Sequence, residues 1–191
     1  MRLVFATNNM NKFQELKDLL PDNIELLALQ DIGCNSELPE TKETLEGNAI
    51  QKAEFIFANY GYNCFSDDTG LEVKALNNAP GVYSARYAGK DCIASDNIRK
   101  LLDNLMSIDN RSACFRTVIA LLIDGKRYLF EGKCSGNIAK EILGNSGFGY
   151  DPIFLPDRSK ITFAQMTKKQ KGMISHRAKA ANKLVNFLQN Y

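Results

Sequence analysis

The sequence predicts an α/β fold: a single domain over residues 1–191, with a central mixed β-sheet flanked by helices. Three observations lead there. Strand-like and helix-like patterns alternate along the chain, the order expected of an α/β protein. An apolar run from Ala113 to Ile123 meets Asp124-Gly125 and returns from Tyr128 to about Ser135, which reads as an antiparallel hairpin with a type I′ turn. Finally, 191 residues at 45% hydrophobic content suffice for one good core and are short for two, and no linker, repeat or low-complexity tract divides them.

Taken in order, Leu3 to Thr7 reads as a buried first strand, followed by a helix over Asn11 to Leu20 with Phe13, Leu16, Leu19 and Leu20 on one stripe. Ile24 to Leu29 is a second strand, and Asp31 to Lys42 a polar loop holding Glu37 and Glu40. A long helix spans Thr44 to Tyr60, with Thr44 as N-cap and Leu45, Ala49, Ala53 and Ile56 as its apolar stripe. Phe65 to Leu71 reads as an apolar approach that ends in Asp67-Asp68 and a sharp Thr69-Gly70 turn, after which Leu71-Glu72-Val73 resumes a strand pattern. Asn77 to Gly81 is a loop, Ser95 caps a helix running to Met106, and the hairpin follows. Gly144 to Phe154 is a glycine-rich loop entering a short strand, and the last helix carries Ile174, Ala178, Ala181, Val185 and Leu188 on one face.

Composition removes several function classes. A net charge of +2 is too balanced for a nucleic-acid binder, and the single histidine, His176, excludes multi-histidine zinc sites. Five well-spaced cysteines without a CxxC pair fit reduced thiols in a cytoplasmic protein. No apolar run approaches the roughly 18 residues that span a bilayer, and the run after Met1-Arg2 is too short for a signal peptide. A metal, if one is used, is a hard ion on oxygen ligands, with magnesium the natural candidate.

Five stretches carry chemistry. Asp67 and Asp68 are adjacent acids that resist burial without a cation, or else an ordinary acidic turn. Thr7-Asn8-Asn9-Met10-Asn11-Lys12 joins a strand to a helix; it either turns free N–H groups and a lysine toward an anion or is simply an Asn-capped helix start. Asn48 and Lys52, four apart on one helical face, either meet one ligand or are surface polar residues. Phe148, between glycines, is either a platform for a flat ligand or a plug in a tight turn. From Arg158 to Lys183 there are eight lysines and arginines and no acid, either a solvated face or the field that draws in a polyanion.

Together these are the parts of a magnesium-nucleotide site, and their order resembles one family. Thr7-Asn8-x-x-x-Lys12, Glu40-Thr41, Asn48-Ala49-x-x-Lys52-Ala53, Asp67-Asp68-Thr69-Gly70-Leu71, Pro80 to Tyr87, Phe148-Gly149-Tyr150-Asp151-Pro152 and Ser175-His176-Arg177 are similar to the inosine triphosphate pyrophosphatase family, over almost the whole chain. The resemblance implies Mg²⁺-dependent hydrolysis of ITP, dITP and XTP to the monophosphate and pyrophosphate. It also implies a homodimer, an elongated mixed sheet, and an active site in a cleft between two lobes. By the same resemblance Asp68 is the proton acceptor and, with Glu40, a metal ligand. Thr7, Asn8, Asn9, Lys12, Lys52, Thr69 and Lys171 hold phosphates and sugar; Phe148, Gly149, Tyr150, Asp151, His176 and Arg177 hold the base; Asp67 and Asn48 support the site from behind. A 6-oxo purine offers an acceptor where adenine offers an amino donor, so Arg177, a pure donor, favours inosine, with about 1–3 kcal/mol lost per unpaired buried group when adenine takes its place.

Three positions depart from the family pattern. Thr69 replaces serine and keeps the hydroxyl, Gln165 stands where glutamate is expected, and Lys168-Lys169-Gln170-Lys171 is more basic than usual. Two other readings stay open: a pyrophosphatase for dTTP, UTP or modified pyrimidine nucleotides, and a nucleotide sensor without turnover. An aspartyl-phosphate phosphatase is set aside because its acids stand two apart and these are adjacent.

Overall fold

The computed structural model describes all 191 residues as an α/β chain of seven strands and five α-helices. The order is β1 (Arg2–Phe5), α1 (Met10–Lys17), β2 (Glu25–Leu27), α2 (Leu45–Tyr60), β3 (Cys64–Val73), β4 (Pro80–Gly81), α3 (Ala94–Asn104), β5 (Ser112–Ile123), β6 (Lys126–Ile138), β7 (Phe154–Pro156), α4 (Lys168–Ile174) and α5 (His176–Gln189). All seven strands join one mixed sheet in the order β2-β1-β3-β5-β6-β7, with β4 paired to β3. β1 pairs in parallel with both β2 and β3, while the β3/β4 and β6/β7 pairs are antiparallel.

The chain folds into two compact units. Met1–Asp68, Thr117–Gly132 and Arg177–Tyr191 form the first; Thr69–Arg116 and Lys133–His176 form the second. In the first, Leu3, Phe5, Phe65, Ile119 and Leu121 alternate along their strands and meet α1 through Phe13 and Leu16, and α5 through Ala180, Ala181 and Leu184. Phe5 and Phe65 are fully buried and stacked at 4.5 Å, each contributing about 1.5–3 kcal/mol by burial. The opposite face of β3 meets α2 at matched steps. Cys64 Sγ donates to the Ala53 carbonyl, Ser66 Oγ to the Ala49 carbonyl, and Asp68 accepts from Asn48. The stripe Leu45, Ala49, Ala53 and Ile56 is buried as the spacing predicts, and Thr44 Oγ1 caps α2 by accepting from Gly47 N at 3.0 Å.

The hairpin turn also follows the prediction. Asp124 and Gly125 both take positive φ, 50° and 74°, as a type I′ turn requires. The non-glycine residue is held there by Asn63 and by the Tyr191 hydroxyl, both hydrogen-bonded to Asp124. In the second unit Phe115, Phe154 and Phe163 form an aromatic centre with Leu71, Leu101 and Leu105 around it.

Three local expectations are corrected. Asp67-Asp68-Thr69-Gly70 is not a turn: β3 runs unbroken from Cys64 to Val73, because Ser66 and Asp68 find partners on α2 and the strand has no need to leave the sheet. The third helix begins at Ala94 without a side-chain cap, so Ser95 lies inside it. The last apolar face is also split, since Ile174 belongs to α4 and α5 buries Leu184 more deeply than Val185.

Candidate active site

A strand turns successive side chains to opposite faces. The unbroken β3 therefore separates the two adjacent acids, and each acquires its own surroundings. Asp67 lies on the Phe65 face. Its carboxylate meets Lys12 Nζ at 3.0 Å and Arg177 Nε at 3.4 Å, with no exposed side-chain surface. Asp68 lies on the Ser66 face and accepts from Asn48 Nδ2 at 3.1 Å. Lys52 reaches past it to the Asp67 carbonyl at 2.7 Å and to Glu40 Oε1 at 2.5 Å.

The electrostatics of the two acids run in opposite directions. Burial pushes the Asp67 carboxyl up, but Lys12, Arg177 and Lys52 outweigh it and hold the group well below the usual carboxylate range. Asp68 is raised: burial is the largest cause, Glu40 adds repulsion, and Lys52, Lys12 and Asn48 offset them only in part. Lys12 is lowered, first by burial and then by the neighbouring Lys52 and Arg177, against the pull of Asp67. Lys52 ends above the usual lysine range, because Asp68, Glu40 and Asp67 together overcome its burial.

The strand-to-helix joint is both a cap and an approach. Asn9 Oδ1 accepts from the N–H groups of Asn11 at 3.0 Å and Lys12 at 3.2 Å, and Thr7 Oγ1 accepts from Asn9 N at 3.2 Å. Asn8 and Asn9 are exposed, and Lys12, one turn on, carries its ammonium to Asp67. Asn48 and Lys52 are buried at 0% and 5% exposure, which places them among the acids instead of on the surface. Asn48 Oδ1 also accepts from Lys42 N at 2.9 Å, tying the loop that carries Glu40 to α2.

The second unit gathers the remaining residues. Asp151 Oδ2 accepts from Phe148 N at 2.9 Å and from Lys171 Nζ at 2.7 Å, and the Lys171 ammonium stands 4.7 Å from the centre of the Phe148 ring. Such a cation over a half-buried ring is stabilised by about 0.5–2 kcal/mol. His176 stacks on Phe115 at 4.5 Å. The glycines have a specific reason here: Gly147 has φ +79°, and a Cβ on it would stand 2.2 Å from Asp151 Oδ2. Gly149, at φ +59°, has open space around it.

Of the predicted residues, Glu40, Asn48, Lys52, Asp67, Asp68, Lys12 and Arg177 gather in the first unit; Phe148, Tyr150, Asp151, Lys171 and His176 gather in the second, where Thr69 is half-buried on β3. Arg177 and Lys171 account for the buried part of the basic run, whose other six members are exposed. Arg177 is bound to Asp67 and to Glu15, and Lys171 stands with the aromatic loop. Glu15 escaped the sequence reading although it lies one helical turn after Lys12, a spacing that puts both on one face. Gln165 caps a short 3₁₀ helix: its Oε1 accepts from Thr162 N at 3.0 Å. No three acids, histidines or cysteines converge as a ready metal cage.

The chain is similar to known proteins along its whole length. The chain is 53% identical to a dITP/XTP pyrophosphatase of Flavobacterium psychrophilum over the full length of both. It is 52% identical to one of Porphyromonas gingivalis, covering 98% of this chain and 97% of the relative. Among solved structures it matches a Ham1 protein of Staphylococcus aureus with TM-score 0.92 and 40% identity over 100% of this chain and 99% of the other. A HAM1 protein from Coxiella burnetii matches with TM-score 0.93 and 36% identity over the whole of both chains. The family model of the Ham1 family covers residues 3–187, and the chain belongs to that family.

Proposed function

We propose that this protein hydrolyses non-standard purine nucleoside triphosphates, dITP, ITP and XTP, to the monophosphate and pyrophosphate. One observation carries the reading: two adjacent buried carboxylates are divided between the faces of one strand, Asp67 bonded to the Lys12 ammonium and Asp68 to Asn48, with Lys52 reaching the Asp67 carbonyl and Glu40. Cleaving an α–β phosphoanhydride needs a base for the attacking water and positive charge for the leaving pyrophosphate. Asp68 supplies the first, because burial and Glu40 raise its affinity for a proton. Lys12 and Lys52 supply the second. The names of the full-length relatives support the same substrates.

Magnesium fits the donor set. Glu40 and Asp68 are hard oxygen ligands near enough for Glu40 to raise the Asp68 carboxyl, and a divalent cation relieves that repulsion. Magnesium is commonly held by one or two carboxylates plus water and phosphate oxygens, so the lack of a third acid is no obstacle. When bound, it neutralises charge on the triphosphate. Phe148 offers the base a ring to stack on, with Asp151 bonded to its backbone N–H and the Lys171 ammonium over the ring.

We carry the homodimer and the cytoplasmic location with this reading. The five cysteines are free, and no helix is long and apolar enough to cross a membrane. Pyrophosphate release from dITP, XTP, dTTP and ATP, with and without Mg²⁺, tests the proposal. Turnover of dITP and XTP well above ATP is expected; equal turnover of ATP, or preference for dTTP, would overturn it. Sedimentation reads the dimer.

A further inference from the structure

Ser84 is buried in the second unit and takes no part in the chemistry above. Its Oγ accepts from the backbone N of Leu71 at 2.8 Å and donates to the Gly81 carbonyl at 2.6 Å, closing the short β3/β4 pair. Its own carbonyl accepts the phenol of Tyr150 at 2.8 Å. Tyr150 is 4% exposed, and burial raises its pKa, so the phenol keeps its proton and can only act as donor to that carbonyl. One residue thus ties two segments that matter. Leu71 lies two positions after Thr69 on β3, and Tyr150 directly precedes Asp151, which receives Phe148 N and Lys171 Nζ.

The anchor is itself fixed. Asn97, at 4% exposure on α3, donates to the Ala85 carbonyl at 2.8 Å and accepts from Ala88 N at 2.6 Å, bracketing the turn that starts at Ser84. A serine that only filled space would need no such set of partners. Here every hydrogen bond is buried or half-buried, and breaking one strands a polar group away from water.

We propose that Ser84 and the Tyr150 phenol are positioning residues for substrate, setting the loop 148–151 against the β3 segment that carries Thr69. This rests on the functional reading above. The Tyr150 hydroxyl touches no reacting atom; it holds the backbone that presents Phe148 and Asp151. Losing it should loosen the site that receives the base and leave the hydrolytic step alone.

Tyr150→Phe is the gentlest break, since it removes one oxygen and keeps the ring in the core. With dITP the KM should rise about tenfold, the size of one stranded buried hydrogen bond, with kcat within about twofold of wild type. Tyr87→Phe is the control: its hydroxyl accepts from exposed Asn104 at 2.8 Å in the same unit, and its KM should not move. Hydrogen–deuterium exchange of residues 147–152 gives a readout without turnover, with faster exchange expected in Tyr150→Phe than in either wild type or Tyr87→Phe. An unchanged KM, or equal loss in kcat and kcat/KM, or unchanged exchange in that loop overturns the inference. Wild type inactive on dITP and XTP would instead remove the functional reading, while the exchange comparison still decides whether Tyr150 fixes the loop.

Discussion

In the first unit two adjacent carboxylates are surrounded by Lys12, Lys52 and Arg177; in the second a single carboxylate and a single ammonium, Asp151 and Lys171, sit among Phe148, Phe163 and Phe115. The first is an electrostatic device. Its geometry depends on charges that burial penalises and neighbours rescue, and neighbouring residues of one strand end with opposite pKa shifts. The second depends on shape: ring faces, a positive-φ glycine against a carboxylate, and hydrogen bonds that fix a loop. Charge clusters of the first kind suit bond cleavage, and stacked surfaces of the second suit recognition. Substitutions in the two should therefore fail in different ways.

The largest effect belongs to Asp68. Asp68→Asn keeps the size and a partner for Asn48 but cannot take a proton, so kcat for dITP should fall by about 10²–10⁴-fold, measured as pyrophosphate release. Folding should not suffer, because the raised carboxyl it removes is one that burial disfavours. Asp67→Asn is the mirror image. It leaves Lys12 and Arg177 buried without their shared carboxylate, at a cost on the order of 3–5 kcal/mol in denaturant unfolding. If both variants lost stability equally, the division of labour along β3 would be wrong.

The pH dependence carries the same contrast with its signs worked out. Asp67 is depressed in the fold, so its contribution is full above the ordinary value of about 3.9 and is lost as pH falls through the depressed value. Asp68 is raised, so the fold favours its protonated form, and its effect on stability worsens as pH climbs from about 3.9 through the raised value. Metal-free protein should therefore show Asp67→Asn less stable than wild type near neutrality, with the gap closing in acid. Asp68→Asn should be at least as stable as wild type near neutrality and lose that advantage in acid. A gap that widened in acid for Asp67→Asn would contradict the ion-pair assignment.

Much of this was readable from the sequence, for identifiable reasons. The α2 stripe, its Thr44 cap and the Asp124-Gly125 turn follow local rules that the rest of the fold does not override. A turn is expected after the carboxylate pair because Thr-Gly following two acids is good turn chemistry; what keeps the strand straight is Ser66 and Asp68 meeting α2, a contact between residues 17 and 20 positions apart. The spacing of Asn48 and Lys52 leaves both a ligand contact and a surface position open for the same reason, since only the partner strand reveals that their face is covered. Ser84 carries no sequence signal at all: its importance lies in a carbonyl and a hydroxyl whose partners are 66 and 13 residues away.

A middle-sized effect probes the shape-based side. Gly147→Ala forces a side chain into a positive-φ position with its Cβ 2.2 Å from Asp151 Oδ2. Backbone strain of about 1–3 kcal/mol and a displaced Asp151 should raise KM for dITP and lower the melting temperature together. A rise in KM for dITP without any for ATP would sharpen the recognition role. A kcat defect alone would count against it.

The smallest effect is expected at Gln165, where the family pattern has glutamate. In the structure Gln165 uses only its oxygen, accepting from Thr162 N at 3.0 Å and lying 3.3 Å from Thr162 Oγ1, and its side chain is exposed. A glutamate keeps that acceptor and places a negative charge near a helix N-terminus, which is mildly favourable. Gln165→Glu should thus change stability by no more than about 0.5 kcal/mol, with any shift upward, and leave both kcat and KM where they are. Thr162→Ala, which deletes the hydroxyl that donates to the Leu143 carbonyl at 2.7 Å, should cost more than the charge swap. A clear change in turnover for Gln165→Glu, with stability untouched, would move this position out of the scaffold and into the chemistry, and would reopen how many acids the reaction uses.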